Sequence, residues 1–222
     1  ILHSVYAETL KIYSKNATRY TILVIPNRGM DMGGHLQAMT FLCSDTPTLP
    51  PSAILHIHTK GCAQWREIML ETLCDHAGYC LHRLFNNNDT HPTMAFGALS
   101  NAFDHRNMSH LTSFLTDSLF LSSALLQLRF HVAYGSMQWL RGDVWFRFFQ
   151  DHQTGFDDIY SQFSTGRVSD SNGVSQAEHA CERLFGLIAA HHRMQIQAFY
   201  KCMRYPRDKS HRERMLFSYM NA

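Results

Sequence analysis

Several things are scarce in this sequence. It has no run of about 18 apolar residues, so nothing in it reads as a membrane-spanning helix. No stretch at the start reads as a secretory signal peptide. The first residue is Ile1 rather than Met, which fits one module of a longer polypeptide. Internal repeats and low-complexity tracts are missing. Charge is nearly balanced, with a formal net of +2 over 222 residues, which argues against a dedicated nucleic-acid binder. Cys43, Cys62, Cys74, Cys80, Cys181 and Cys202 are too dispersed for a secreted disulfide scaffold, and a reducing cytosol is the expectation. Their spacing, with Cys74-Asp75-His76 the densest part, matches no standard zinc pattern. The N-x-[ST] triplets at Asn16, Asn88 and Asn107 carry no weight in a cytosolic protein.

What is present is an ordinary globular composition, 45% hydrophobic. It is enough for one large domain over residues 1–222 with its own core. Residues 1–7 are apolar enough for a strand, and residues 8–14 for one or two helical turns. Residues 20–25 are β-branched and end at Pro26, which predicts a buried strand. A turn follows, then a helix over 32–42, a proline-containing loop over 44–52 and a strand over 53–58. Helical spacing runs over 64–85, and residues 93–98 read as a short strand near the sheet edge. Residues 111–128 read as one buried helix, and 130–134 and 137–140 as strands around Gly135. A helix over 143–150 precedes an irregular, candidate mobile loop over 154–173 and a helix over 175–190. The tail from His191 reads as partly helical and breaks at Pro206. Residues 201–214 hold six Lys/Arg against two Asp/Glu, a local balance of +4. Strands alternating with helices predict an α/β fold, with a mixed, mostly parallel central sheet flanked by helices.

Four stretches could carry chemistry. Residues 27–35 read strand, turn, helix start, with Gly33 and Gly34 able to let a ligand approach the backbone. The helix N-terminus offers N–H groups to an anion. Asp31 is placed either to bind a ribose or base, or simply to cap the helix. In the second stretch His56 and His58 lie two apart on a strand and share a face. They could ligate a metal, or be a chance pair among fifteen histidines, while Lys60 at the strand tip could neutralise a phosphate. The third stretch, Gly135-Ser136-Met137-Gln138-Trp139-Leu140-Arg141, suits either a wall for a sugar or a hairpin packed on the core. In the fourth, Glu178 and Glu182 share a helical face, as do His179 and Arg183. Glu178 could act as a general base, or be the far end of a capping box with Ser175.

The order Asn27-Arg28-Gly29-x-Asp31, His58-Thr59-Lys60, Trp65-Arg66, Gly135-Ser136-Met137-x-Trp139-x-Arg141 and Glu182-Arg183-Leu184-Phe185 resembles the rhamnan synthesis F family of glycosyltransferases, over about residues 20–188. In size and general character the chain is also similar to the small glycosyltransferase domain that chlorella viruses encode for decorating their capsid protein. The resemblance implies a GT-A type fold. It also implies a uridine or thymidine diphosphate sugar as donor, often with Mn²⁺, a glycan or glycoprotein acceptor, and a cytoplasmic location. Many GT-A enzymes end the corresponding strand in Asp-x-Asp to hold the metal. Here it ends in His56-Ile57-His58, so either these histidines ligate Mn²⁺ or another divalent metal, or Lys60 and Arg66 replace it.

On this resemblance the expected activity is transfer of a hexose or deoxyhexose, rhamnose among them. Asn27, Arg28, Asp31 and Gly33 would bind the nucleotide, and His58, Lys60 and Arg66 the diphosphate. Ser136, Trp139 and Arg141 would line the sugar or acceptor side, and Arg183 would help bind the nucleotide sugar and support the base. Glu178 is the expected base, supported by Glu182. The rival expectation is a non-catalytic nucleotide- or carbohydrate-binding module with the same fold.

Overall fold

Alternation of side chains across short strands builds the centre of the molecule. The computed structural model describes residues 25–26, 28–45, 50–58, 63–86, 92–102, 108–128, 130–133, 136–165 and 177–200. The elements expected over residues 1–24 and from 201 onward lie outside these. Strand β1 is Ala53–His56, β2 Thr93–Ala102, β3 His131–Ala133, β4 Gln138–Arg141 and β5 Gln195–Tyr200. Ile54, Leu140 and Ala95 are level across β1, β4 and β2, and they serve one core. Leu55, Trp139 and Phe96, one residue along, serve the other. A period of two thus feeds two cores from one sheet.

The sheet is mixed. β4 pairs antiparallel with β1 on one side and β2 on the other, so β1 and β2 run the same way. β3 pairs antiparallel with the carboxyl end of β2. β5 runs parallel to β2 on the edge opposite β4. The chain is therefore α/β with a mixed sheet, but most hydrogen-bonded strand pairs described are antiparallel, because β4 is inserted between two co-directional strands. The strand expected as a short edge is ten residues long and central. Pairing on both sides cannot be read from one strand's own residues.

Helices cover both faces. On the larger core lie α1 (Met30–Asp45), α4 (Met108–Ser113), α5 (Gly142–Asp151), α6 (Gln153–Ser161) and α7 (Ala177–His191). α2 (Ala63–Leu70) and α3 (Ala77–Phe85) cover the smaller one. Among the described residues no helix is long and apolar enough to cross a membrane.

The helix expected over 64–85 is interrupted by a π turn at Glu71–Asp75. Its buried positions Ile68, Thr72, Cys80 and Leu84 fall at multiples of four, and four residues overrun a 3.6-residue turn. The wider turn takes up that drift.

Three expectations fail for related reasons. The helix expected over 111–128 stops at Leu119, where Phe120 takes a φ of 54° and the Leu121 N–H closes onto the Leu115 carbonyl at 2.6 Å. A short 3₁₀ turn, Ser123–Gln127, follows, with the Ser122 hydroxyl accepting from the Ala124 N–H. Of the tail expected to be partly helical from His191, residues Gln195–Tyr200 are strand β5. α7 ends in a Schellman closure, with Arg193 at φ 55° and bonds from Arg193 N–H to the Ala190 carbonyl and from Met194 N–H to the Ala189 carbonyl. Both stops put a non-glycine residue in the left-handed region, so the usual sequence signal is missing. The loop expected over 154–173 begins instead as α6, which buries Phe156 and Ile159, and Phe163 is buried beyond it.

Phe120 combines left-handed backbone with an 85% exposed ring. Phe120→Gly relieves the backbone and forfeits little burial, so it is expected to stabilise the fold by up to about 1 kcal/mol. Denaturant unfolding checks this, and a loss of stability would show that the ring is packed in solution.

Candidate functional site

α1 starts where Gly29 turns with φ 73° and the Gly33 N–H bonds back to the Gly29 carbonyl at 2.8 Å. A Cβ at Gly33 would overlap the Arg28 carbonyl oxygen. Gly33 is thus needed for helix–backbone packing and does not open the backbone to a ligand. Arg28 is also committed. Its Nε donates to the Phe163 carbonyl at 2.8 Å and Nη2 to the Ser161 carbonyl at 2.7 Å. It caps the C-terminus of α6, where a cation is favoured, and lies 5.7 Å from the Tyr160 ring centroid. The structure places neither residue as a free nucleotide contact.

Asp31, in the first turn of α1, meets two other candidates. Its Oδ2 accepts from the Ser136 hydroxyl and lies 3.1 Å from His58 Nε2, with both ion-pair side chains only 14% exposed. His58 Nε2 is 3.3 Å from Ser136 Oγ. This triangle is not a hydrolase triad. There the imidazole uses one nitrogen for the serine and the other for the carboxylate, whereas here the same Nε2 faces both. The serine's one proton goes to Asp31, so Ser136 is an anchor and not a nucleophile.

Ser136 itself is buried and holds a φ of 56°. Its carbonyl accepts from His56 Nδ1 at 2.8 Å, which fixes the proton on that nitrogen. The His56 ring stands 5.7 Å from His58, stacked, and 4.5 Å from His35. Strand alternation correctly put His56 and His58 on one side.

His35 has no role in the sequence reading, yet it is the buried end of this row. Its Nε2 accepts from Trp145 Nε1 at 3.1 Å. Burial, and His56 beside it, hold its imidazole well below the ordinary 6.5, so it is neutral. The available signal was its position in α1, four residues after Asp31 on the same helical face.

Three more buried groups border this cluster. Glu178, in the first turn of α7, accepts from the Ser164 N–H through Oε1 at 2.6 Å. Its Oε2 is buried without a hydrogen-bond partner among the described residues. Ser175, the proposed other half of a capping box, lies outside them. Cys181, one turn further on, is pushed well above the usual thiol range by burial, with the Glu182, Asp31 and Glu178 carboxylates adding to it. Gln138 on β4 is fully buried, and neither its oxygen nor its nitrogen has a partner among the described residues.

Other expected residues fall elsewhere. Trp139 points to the smaller core and donates from Nε1 to the Leu73 carbonyl at 2.8 Å. Arg141 pairs in register with Ala53, at the end of β1 away from His58. It makes a two-point ion pair with Asp143, at 2.9 and 2.6 Å, over the Phe85 ring. Neither lines the strand-tip cluster. Arg183 Nη1 donates to the His179 carbonyl of its own helix at 2.6 Å, and Glu182 is half-buried on α7. Asn27 and Lys60 lie outside the described residues. Arg66 sits in α2, and its side chain is not described.

As metal donors the histidines are already engaged, His56 through Nδ1 with a carbonyl and His58 through Nε2 with Asp31. Among the described residues no group of three or more His, Cys, Asp or Glu is arranged to hold a metal. Comparison with protein-family models, with curated proteins and with solved structures finds no match to this chain.

Two outcomes follow from this geometry. Gly33→Ala is expected to cost about 1–3 kcal/mol of stability with no ligand present, measured by urea unfolding. An unchanged midpoint would return Gly33 to a ligand role. His35 binds its proton less readily folded than unfolded, so stability present above about pH 6.5 is lost as pH falls. The melting temperature is expected to drop between about pH 7 and pH 5. His35→Gln should flatten that slope, and an equally steep slope in the variant would refute the assignment. His192 is depressed in the same direction by burial and by His191 and His152, so part of the slope remains.

Proposed function

We propose that the chain is a GT-A type glycosyltransferase of the rhamnan synthesis F kind. It would move a hexose or deoxyhexose from a nucleotide diphosphate, uridine diphosphate first, to a glycan or glycoprotein acceptor. One observation carries the reading. Asp31, His58, Ser136, His56 and Gln138 converge at the strand-tip end of β1 and β4 in a mixed α/β sheet. Open α/β sheets bind their ligands outside the carboxyl ends of their strands.

In this reading His58 meets the diphosphate, with Asp31 holding the imidazole in place, and Lys60 and Arg66 supply positive charge to it. The bond between the anomeric carbon and the diphosphate oxygen breaks, and its electron pair stays on the phosphate. Fixed cations at that oxygen supply the largest stabilisation expected of such a site. The acceptor hydroxyl attacks the anomeric carbon and gives up its proton to a carboxylate. Glu178 is the carboxylate proposed, through the oxygen that Ser164 does not hold. Trp139, Arg141, Arg28 and Gly33 take no part. In this reading Lys60 and Arg66 take the place of a metal, because His56, His58 and Asp31 are already engaged among the described residues.

The test is thermal shift with UDP, dTDP and their glucose and rhamnose derivatives, each with Mn²⁺ and with EDTA. A ligand at one hundred times its Kd adds about 2.7 kcal/mol to the folded state. A shift that persists in EDTA and falls about tenfold in apparent affinity in His58→Ala is expected. A shift only with Mn²⁺ would restore a metal to the site. No shift with any nucleotide would sink the reading and favour a module that binds something else.

A further inference from the structure

Gln138 opens β4, and no part of it reaches solvent. Its partners in register are His56 on β1 and Gly97 on β2, and Gly97 pairs in turn with Ala198 on β5. Residues level across a sheet point to the same face. This face is the one that carries Ile54 and Leu140 to the larger core. The row therefore reads His56, Gln138, Gly97, Ala198, and its last two positions bring almost no side chain.

A primary amide carries one acceptor and two donor hydrogens at its tip. In Gln138 both heteroatoms are buried and unpaired among the described residues. Burying an amide without partners is among the costlier things a core can do. A methionine or leucine would fill the same space without that penalty. Two residues before Gln138, Ser136 is part of the strand-tip triangle. Beside it in register, His56 is fixed on the Ser136 carbonyl. The orphan amide thus borders an ordered polar cluster.

We propose that the Gln138 carboxamide is the specificity-determining contact of the strand-tip site, taking a neutral ligand group that sets a hydrogen-bond donor beside an acceptor. This rests on the donor-site reading above and deepens it. Two parts of a nucleotide sugar have that chemistry: the imide edge of a pyrimidine base, and neighbouring hydroxyls of the sugar. A phosphate, with acceptors only, would leave the amide oxygen unmatched. The amide reads the neutral part of the donor, while the cations at the strand tip meet the diphosphate.

The test uses the full chain and two variants. Gln138→Met removes the amide at similar volume. Gln138→Glu keeps the shape and an acceptor but removes the donor. Each is titrated calorimetrically with UDP, UDP-glucose, dTDP and dTDP-glucose, and melted without ligand. Gln138→Met is expected to melt above the wild type and to bind at least tenfold more weakly. Gln138→Glu is expected to lose affinity with no gain in melting temperature. A loss shared by UDP and UDP-glucose assigns the contact to the base, and a loss confined to the sugar nucleotide assigns it to the sugar. Wild-type affinity in Gln138→Met, or a lower melting temperature in that variant, overturns the proposal and leaves the donor site standing. A wild type that binds none of the four probes removes the donor-site reading and this inference together.

Discussion

One carboxylate oxygen, Asp31 Oδ2, holds the site together. It takes the proton of Ser136 and faces His58 Nε2 at 3.1 Å, so three elements far apart in sequence meet on it. These are the first turn of α1, the loop before β4 and the tip of β1. A largely buried acid and imidazole are costly to desolvate. Here the cost is offset by the serine hydroxyl and by the helix N-terminus, whose partial positive charge favours an acidic side chain in the first turn.

A second tier of polar contacts keeps that point in register. His56 is fixed by a carbonyl and His35 by an indole N–H, and the three imidazoles stand in a row from the strand tip into the core. Residues 163–165 are bound from two sides, by Arg28 and Gly29 at the entrance to α1 and by Glu178 at the entrance to α7. The ends of both helices that border the site are therefore tied to one short segment. Against this order stand atoms of Gln138 and Glu178 that have no partner among the described residues. A buried polar network with open valences is a poor way to stabilise a core and a suitable way to receive a polar ligand.

Much of this could be read from residue patterns. The apolar run opening at Ala53 and the segment 137–140 both read as strands, and both are strands in the structure. The pairing of His56 with His58 on one side followed from a period of two. Asp31 was visible as a helix-opening acid. Helix ends at Phe120 and Arg193 were not visible, because backbone in the left-handed region normally announces itself by glycine. There the core on either side selected the turn and overrode the local preference. The π turn at Glu71–Asp75 escaped for a similar reason, since it adjusts one buried face to its neighbours. Gln138 escaped because a glutamine on a strand carries no signal of its own, and its isolation is a property of what surrounds it.

The sequence by itself determined the class of fold, the positions of most elements and the chemical types gathered near the strand tips, because each depends on a local period or a local backbone preference. The tertiary structure alone decided which groups are committed. It turned Trp139 and Arg141 away from the site, and it assigned Arg28 to a helix end and Gly33 to close packing. It also joined Ser136 and His58 on Asp31. Hydrogen-bond commitment is a relation between residues brought together over more than a hundred positions of chain, and no local pattern carries it.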